Sequence, residues 1–247
     1  MPSASARYAG RASSVSCQLP RSRAREPAPI ARIITGPVCQ SSRHQWPSVG
    51  GPVHTGAVTE PGTTETREPL HTSFALFDTA IGTCAIVWSA TGVVGIQLPE
   101  PAPEPTRDEV RRRFPTAVEN SLPPAIAPIV EAVTAHLAGA ADDLRWVPVD
   151  YRDVSEFDCA VYEYTRSLDP GSTATYGEVA AALGRPGGAQ AVGQALGRNP
   201  VPIVVPCHRV LAAGGAIGGF SAPGSIVTKR ELLALEHTPG FDDPTLF

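Results

Sequence analysis

Cys207 and His208 stand side by side near the end of "NPVPIVVPCHRV", residues 199–210. A cysteine reacts as its thiolate, so a nucleophilic Cys207 needs a base close by. Histidine is the side chain whose ordinary pKa suits that work near neutrality. Neighbours in an extended segment point to opposite sides, so a direct thiol–imidazole pair of the papain kind needs a histidine from elsewhere. His237 and the other histidines sit in no motif of that kind. A turn at Pro206 instead lets His208 reach the thiol through one water, with a carboxylate holding the far side of the ring. The plainer alternative is a buried structural thiol, since cysteine is among the residue types most often found inside. The flanks bear on the choice. Pro200, Pro202 and Pro206 stiffen the segment, Ile203, Val204 and Val205 ask for burial, and Asn199 and the His208–Arg209 pair make both ends polar. This reads as a polar site at the end of a buried strand.

The elements that must position such a site follow from periodicity. "TSFALFDTAIGTCAIVWSATGVVGIQLP" clusters and alternates β-formers, with breaks at residues 78–82 and 89–92, and predicts two or three antiparallel strands. A proline-rich link (99–105) precedes a charged helix near 106–114. Ile126, Ile129, Val130, Val133 and Leu137 have helical spacing and predict a second helix. Beyond "VPVDYRDV", the stretch "SEFDCAVYEYTRSL" sets Phe157, Val161, Tyr164 and Leu168 on one helical face, with Ser155 as N-cap. Thr175 and Glu178 have capping-box spacing, and their helix should run to Gly184. "RPGG" then turns the chain into the short helix "AQAVGQALGR". Two short helices joined by a glycine-containing turn match the helix-turn-helix pattern, which non-DNA-binding helical hairpins share. The second helix is built from small residues (Gly188, Ala189, Ala191, Gly193, Ala195, Gly197), which allow close backbone approach to another helix or to a nucleic-acid groove.

Charge narrows the partners. The 247 residues carry a net charge of only −4. Residues 1–70 hold eight arginines against four acids, a balance of +4, whereas residues 71–150 stand at −5 and residues 151–247 at −3. Nucleic-acid contact by the folded part must therefore be local and steric, without a broad basic face. Residues 1–70 are rich in Ser, Pro, Gly, Thr and Arg and lack periodicity, which predicts disorder. They show no secretory core; a transit peptide or an over-extended gene start are the readings left open there. Five cysteines at 17, 39, 84, 159 and 207, without a CxxC pair, favour a reducing, cytoplasmic setting over disulfides. The spacing of Cys17, Cys39 and His44 does not suit a zinc finger, and no metal site is expected. No apolar run is long enough for a transmembrane helix, so no membrane association is expected.

"PCHRV" resembles the active-site motif of the O6-alkylguanine-DNA alkyltransferases. The resemblance extends through "TYGEVA", "AVGQAL", "NPVPIVVPCHRV", "GGAIGGFS" and "TKRELLALE", in the family's order, across residues 157–236. The β-rich 71–150 segment looks like the family's ribonuclease-H-like N-terminal domain, and residues 1–70 match nothing. The implied fold is α+β: a disordered extension (1–70), a small ribonuclease-H-like domain (71–150), a helical, winged-helix-like DNA-binding and alkyl-acceptor domain (151–240) and a tail (241–247). The implied activity is irreversible, single-turnover transfer of the alkyl group from guanine O6, with O4-alkylthymine a further substrate, onto Cys207. His208 matches the histidine that activates the thiol through water, Glu236 the carboxylate behind it, and Asn199 the asparagine that orders the cysteine segment. Tyr176 matches the tyrosine that contacts the 3′ phosphate and supplies a proton to the departing guanine. The pocket falls on Val205, Pro206, Phe220 and Ser221, and DNA contact on Tyr176, Ala189, Gln190, Ala191, Gly193 and Arg198. The implied partner is double-stranded DNA bearing O6-alkylguanine, met by a monomer without metal or diffusible cofactor, after the base is flipped out.

Two departures stand out. The family's recognition helix usually carries an arginine where this chain has Gln190, which predicts slower flipping, and the usual tyrosine of the "GGYS"-type loop is Phe220. Two other classes remain to be weighed: an alkyltransferase-like protein that binds damage without repairing it, and a helix-turn-helix regulator with an incidental thiol. Cys207 argues against the first, since such proteins replace the acceptor cysteine. The absence of a dimerisation segment and the acidic balance argue against the second.

Overall fold

The computed structural model describes residues 71–219 and 226–241. Phe220, Ser221, residues 1–70 with Cys17, Cys39 and His44, and residues 242–247 lie outside the described residues.

The expected strands are three: β1 (Ser73–Thr79), β2 (Gly82–Trp88) and β3 (Val93–Gln97) form an antiparallel meander. A two-residue β4 (Val118–Glu119) adds in parallel beside β1, giving the order β3-β2-β1-β4. It is too short for any periodicity to reveal. Side chains alternate between faces, as the pleat requires. Phe74, Ala85 and Val87 meet Val110 of α1 (Pro103–Arg113) on one face. Ala75, Phe77, Cys84 and Ile86 meet Ile129, Val133 and Leu137 of α2 (Ala127–Leu137) on the other. Helix α1 starts three residues before its expected position because proline is well tolerated in a first turn, where its missing N–H has no helical partner. Gly95 is required by packing: a Cβ there would run into the Phe114 ring.

The β3 edge is covered by later segments. The N–H of Val93 donates to the Pro148 carbonyl at 2.8 Å, that of Asp150 to the Val93 carbonyl at 2.8 Å, and that of Ile96 to the Pro200 carbonyl at 2.9 Å. The Asp150 carboxylate accepts from the Ser89 and Thr91 hydroxyls, both at 2.6 Å, and from Arg152, which holds its pKa well below the usual carboxylate range against the opposing effect of burial.

After this layer come α3 (Glu156–Arg166), β5 (Ala174–Thr175), α4 (Tyr176–Ala182), α5 (Ala189–Gly197), β6 (Val210–Leu211) and α6 (Ile226–Leu235). Ser155 caps α3 by accepting the Asp158 N–H, as expected. The face expected from Phe157, Val161, Tyr164 and Leu168 is rotated. The deep stripe runs through Cys159, Val161, Tyr162 and Thr165, and Phe157, Tyr164 and Leu168 are only partly buried. The cause is a second contact: α3 also carries α5, through the Tyr162 hydroxyl on the Ala195 carbonyl (2.9 Å) and through Asp158, which takes Arg198 at 2.8 and 3.0 Å. The Thr175–Glu178 capping box forms, but α4 stops at Ala182, and Gly184 takes the left-handed turn (φ 72°) just beyond. One apolar cluster runs from Ile86 and Ile96 through Leu137 to Val161, Val192, Val204 and Leu232. Burying each such side chain is worth about 1.5–3 kcal/mol. Among the described residues, no helix is long and apolar enough to cross a membrane.

Candidate active site

The segment before the thiol is not the extended strand the sequence suggested. Ile203, fully buried, takes a left-handed backbone (φ 75°) that a β-branched residue rarely adopts, and Val205 N–H returns to the Val201 carbonyl at 2.8 Å. Pro206 then starts a 3-10 turn over Cys207–Arg209. A hairpin-like coil stiffened by proline therefore presents the thiol. Asn199 braces this coil: its amide donates to the Val205 carbonyl at 2.9 Å, and its carbonyl oxygen accepts the Val201 N–H at 3.0 Å.

Cys207 is buried, with 8% of its surface exposed. Burial pushes its thiol up, while a hydrogen bond with the Asn199 side chain, the Lys229 charge and the backbone N–H groups of Cys207 and His208 act in the opposite direction. His208 is also buried, and burial holds its pKa down even though Glu236 acts to raise it. It is therefore a neutral imidazole near pH 7. Its Nε2 lies 2.9 Å from Glu236 Oε1. A carboxylate only accepts hydrogen bonds, so Nε2 carries the proton and Nδ1 the lone pair.

Glu236, one residue beyond α6, is buried and carries an unusual load of donors. Arg209 reaches Oε1 at 2.7 Å and Oε2 at 2.9 Å, and His136 Nε2 lies 3.2 Å from Oε1. Burial acts to push this carboxyl up, but the bonds from His136, His208 and Arg209 overcome it and hold it well below the usual carboxylate range. Arg209, given no chemical role on sequence grounds, is fully buried and also donates to the Leu168 carbonyl at 2.5 Å. It neutralises a carboxylate that burial alone would protonate.

A cavity of about 670 Å³ opens onto the thiol, lined by Tyr176, Ala189, Gln190, Gly193, Gln194, Leu196, Gly197, Cys207 and Gly219. Tyr176, the first residue of α4, lies across it from α5, and burial pushes its hydroxyl pKa up. A Cβ on Gly218 would lie 2.9 Å from the Tyr176 ring, so only glycine leaves that ring its place. The β5–β6 ladder pairs Ala174 with Val210 and Thr175 with Leu211, which ties the residue before Tyr176 to the strand leaving the cysteine turn.

Of the residues singled out from sequence, Cys207, His208, Glu236 and Asn199 converge on one point, and Tyr176, Ala189, Gln190 and Gly193 converge on the cavity beside it. Val205 and Pro206 are buried within the bracing coil and do not line that cavity. Ala191 is half-buried on α5 outside the cavity lining, and Arg198 is engaged by Asp158. His136 and Lys229 were missed. Lys229 is fully buried, donates to the Val210 carbonyl at 2.7 Å and sits 5.7 Å from the centre of the Tyr176 ring. Both left a signal: each is a polar residue on an apolar helical stripe, His136 beside Val133 and Leu137, Lys229 beside Leu232 and Leu233. Among the described residues, no group of three or more His, Cys, Asp and Glu could hold a metal ion.

A helical layer that offers a braced cysteine to a cavity walled by a small-residue helix matches proteins already known. Residues 156–238 match the family model "6-O-methylguanine DNA methyltransferase, DNA binding domain". The methylated-DNA–protein-cysteine methyltransferase of Mycolicibacterium paratuberculosis is 43% identical over 119 residues, covering 47% of this chain and 70% of that protein. That of Methanothermobacter thermautotrophicus is 33% identical over 151 residues, covering 61% and 77%. The Mycobacterium tuberculosis O6-methylguanine methyltransferase superposes with a TM-score of 0.53 at 32% identity, covering 67% of this chain and 92% of that one. Mycobacterium tuberculosis OGT in complex with DNA superposes at 0.54 with 30% identity, covering 68% and 96%. The chain is a mixed α+β transferase. It belongs to the methylated-DNA–protein-cysteine methyltransferase family.

Proposed function

We propose that this protein repairs DNA by moving the alkyl group of O6-alkylguanine irreversibly onto Cys207. One observation carries the reading: among the described residues, the one cysteine that opens on the cavity is backed by a neutral imidazole whose far nitrogen is fixed on a buried, ionised carboxylate. The thiol proton passes through a water to His208 Nδ1, and the imidazolium is stabilised by Glu236. The thiolate attacks the alkyl carbon in line, the carbon–O6 bond breaks, and the purine leaves as the electron pair moves onto it. The Tyr176 hydroxyl, kept protonated by its surroundings, supplies a proton to the departing purine, and the proton held on His208 restores neutrality. Lys229 steadies the thiolate by its charge. The product is a thioether, which hydrolysis does not reverse, so each molecule reacts once.

The target atom is inside the duplex, so the base must be extruded into the cavity, at a cost of a few kcal/mol. Small residues on α5 let that helix approach the minor groove closely, and Ala189, Gln190, Ala191, Gly193, Arg198 and Tyr176 form the contact face. Phe220 and Ser221 belong to the surroundings of the bound base, whereas Val205 and Pro206 back the thiol from within the bracing coil without lining the cavity. In the same reading the chain divides into a ribonuclease-H-like unit (71–150) and a winged-helix-like acceptor unit (151–240), and acts as a cytoplasmic monomer.

The test is direct. Protein mixed with an oligonucleotide carrying O6-methylguanine gains one methyl, on the peptide that contains Cys207, and never more than one per molecule. Methyl found on Cys84 or Cys159 instead would remove the assignment. A second prediction concerns Gln190, which hydrogen-bonds an orphaned base but brings no charge and reaches less far than arginine. Gln190→Arg speeds repair of duplex substrate several-fold, roughly 1 kcal/mol in barrier, and leaves repair of single-stranded substrate unchanged. Equal rates for both proteins on duplex DNA refute this account of position 190.

A further inference from the structure

His136 belongs to α2, an element of the sheet layer, yet its imidazole reaches the carboxylate that serves the cysteine turn. It is 3% exposed, and Glu236 Oε1 receives His136 Nε2 at 3.2 Å, His208 Nε2 at 2.9 Å and Arg209 Nη2 at 2.7 Å. The other carboxylate oxygen takes Arg209 Nε at 2.9 Å and the Gly171 N–H at 3.4 Å. An ionised carboxylate cannot donate, so both imidazoles must present N–H at Nε2. We propose that His136 is a positioning residue for alkyl transfer: it holds Glu236 from the α2 side and shares its charge, and so sets how strongly His208 attracts a proton. The inference rests on the reading of His208 as the base.

The physical content is a division of one negative charge among three side-chain donors, with the longer Gly171 N–H bond beside them. Arg209 is a cation that spans both oxygens, and the two imidazoles each present an Nε2–H to Oε1. Each bond that His136 makes to Oε1 draws density away from His208. The groups facing His208 are Glu236 beyond α6, Arg209 in its own turn and His136 on α2, and both Arg209 and His136 act to lower its proton affinity. Lys229, on α6, acts on the neighbouring thiol. Loss of the His136 donor therefore leaves more charge for His208, raises its proton affinity, and moves the acidic limb of the transfer rate to higher pH. It also frees Glu236 on the α2 side, which lowers the plateau rate.

Two carboxamides separate this role from simple packing. Glutamine places its amide nitrogen near the imidazole Nε2, whereas asparagine stops short of Glu236. Single-turnover methyl transfer is followed against pH for the wild type, His136→Gln and His136→Asn, with thermal melts alongside. His136→Gln stays within about threefold of wild type with the same profile, and His136→Asn is about tenfold slower with its acidic limb displaced upward. An unchanged rate and profile in His136→Asn overturns the proposal, whatever its melting temperature does. In the wild type, imidazole ¹⁵N resonances report the Nε2–H tautomer at His136, and an Nδ1–H tautomer overturns the proposal without any variant. The wild-type rate keeps the two readings apart: a protein that methylates Cys207 while ignoring position 136 loses only this inference, whereas one that transfers nothing loses the repair function itself.

Discussion

Cys207→Ala abolishes repair of O6-methylguanine while leaving a folded protein. The substitution removes one sulfur atom from a buried coil whose bracing bonds, Asn199 to the carbonyl of Val205 and to the N–H of Val201, do not involve the thiol. Its stability cost is about 1 kcal/mol, at the low end for a large-to-small change. The chemical cost is total, because among the described residues the other cysteines, Cys84 and Cys159, are buried in the core and do not line the cavity. Cys84 is held further from reaction because burial pushes its thiol up to about 11. The check is the methyl content of the DNA after incubation, with circular dichroism and a DNA-binding measurement to show an intact fold. Demethylation by this variant would sink the assignment of the acceptor.

Glu236→Gln has the next largest effect, on both rate and stability. It leaves the Arg209 guanidinium fully buried without its anion, facing an amide that offers one acceptor oxygen and a donor group, with the Leu168 carbonyl as its other acceptor. Breaking a buried pair in this way costs about 3–5 kcal/mol. Transfer slows by roughly a hundredfold, because an imidazolium formed at His208 no longer faces an anion. The pH dependence is specific. The Glu236 pKa is lower in the folded chain than in the unfolded one, so its stabilisation is fully present above the unfolded carboxyl pKa of about 4.3 and is lost as pH falls toward the folded value. The gap in unfolding free energy between wild type and variant is therefore widest near neutrality and narrows below about pH 4. A gap that is the same at pH 7 and pH 4 would mean that the carboxylate's charge is not what holds Arg209.

Local signals reported most of the architecture. The caps at Ser155 and Thr175, the three strands with their two breaks and the small-residue α5 are properties of short windows, where neighbouring residues alone decide the outcome. What short windows could not report was tertiary. The rotation of α3 comes from α5, 40 residues away along the Arg198–Asp158 pair. The coil at 201–205 looked like a strand because its residues are β-formers, and the left-handed Ile203 is tolerated there only because the surrounding core holds it. At the site, Cys207 and His208 were visible as types and Asn199 as a neighbour. Glu236 stood out only through a resemblance, since a glutamate closing a leucine-rich helix ordinarily faces water. It belongs to the stripe of Lys229, Leu232 and Leu233, spaced three, four and seven residues apart, and that stripe turns inward. His136 showed only as a polar residue on an apolar stripe, and its partner stayed out of sight because His136 lies on a different element from every residue it touches at the site.

The hydrogen bond from Ile96 to the Pro200 carbonyl has a consequence of its own. Pro200 follows Asn199, so the edge of the sheet grips the coil one residue from its brace. An enzyme that works once gains nothing from a mobile site, since no product has to leave its thiol. On the proposed reading the sheet layer acts as a splint: the Ile96 bond at one point and the His136–Glu236 contact at another tie it to the segment that carries Cys207.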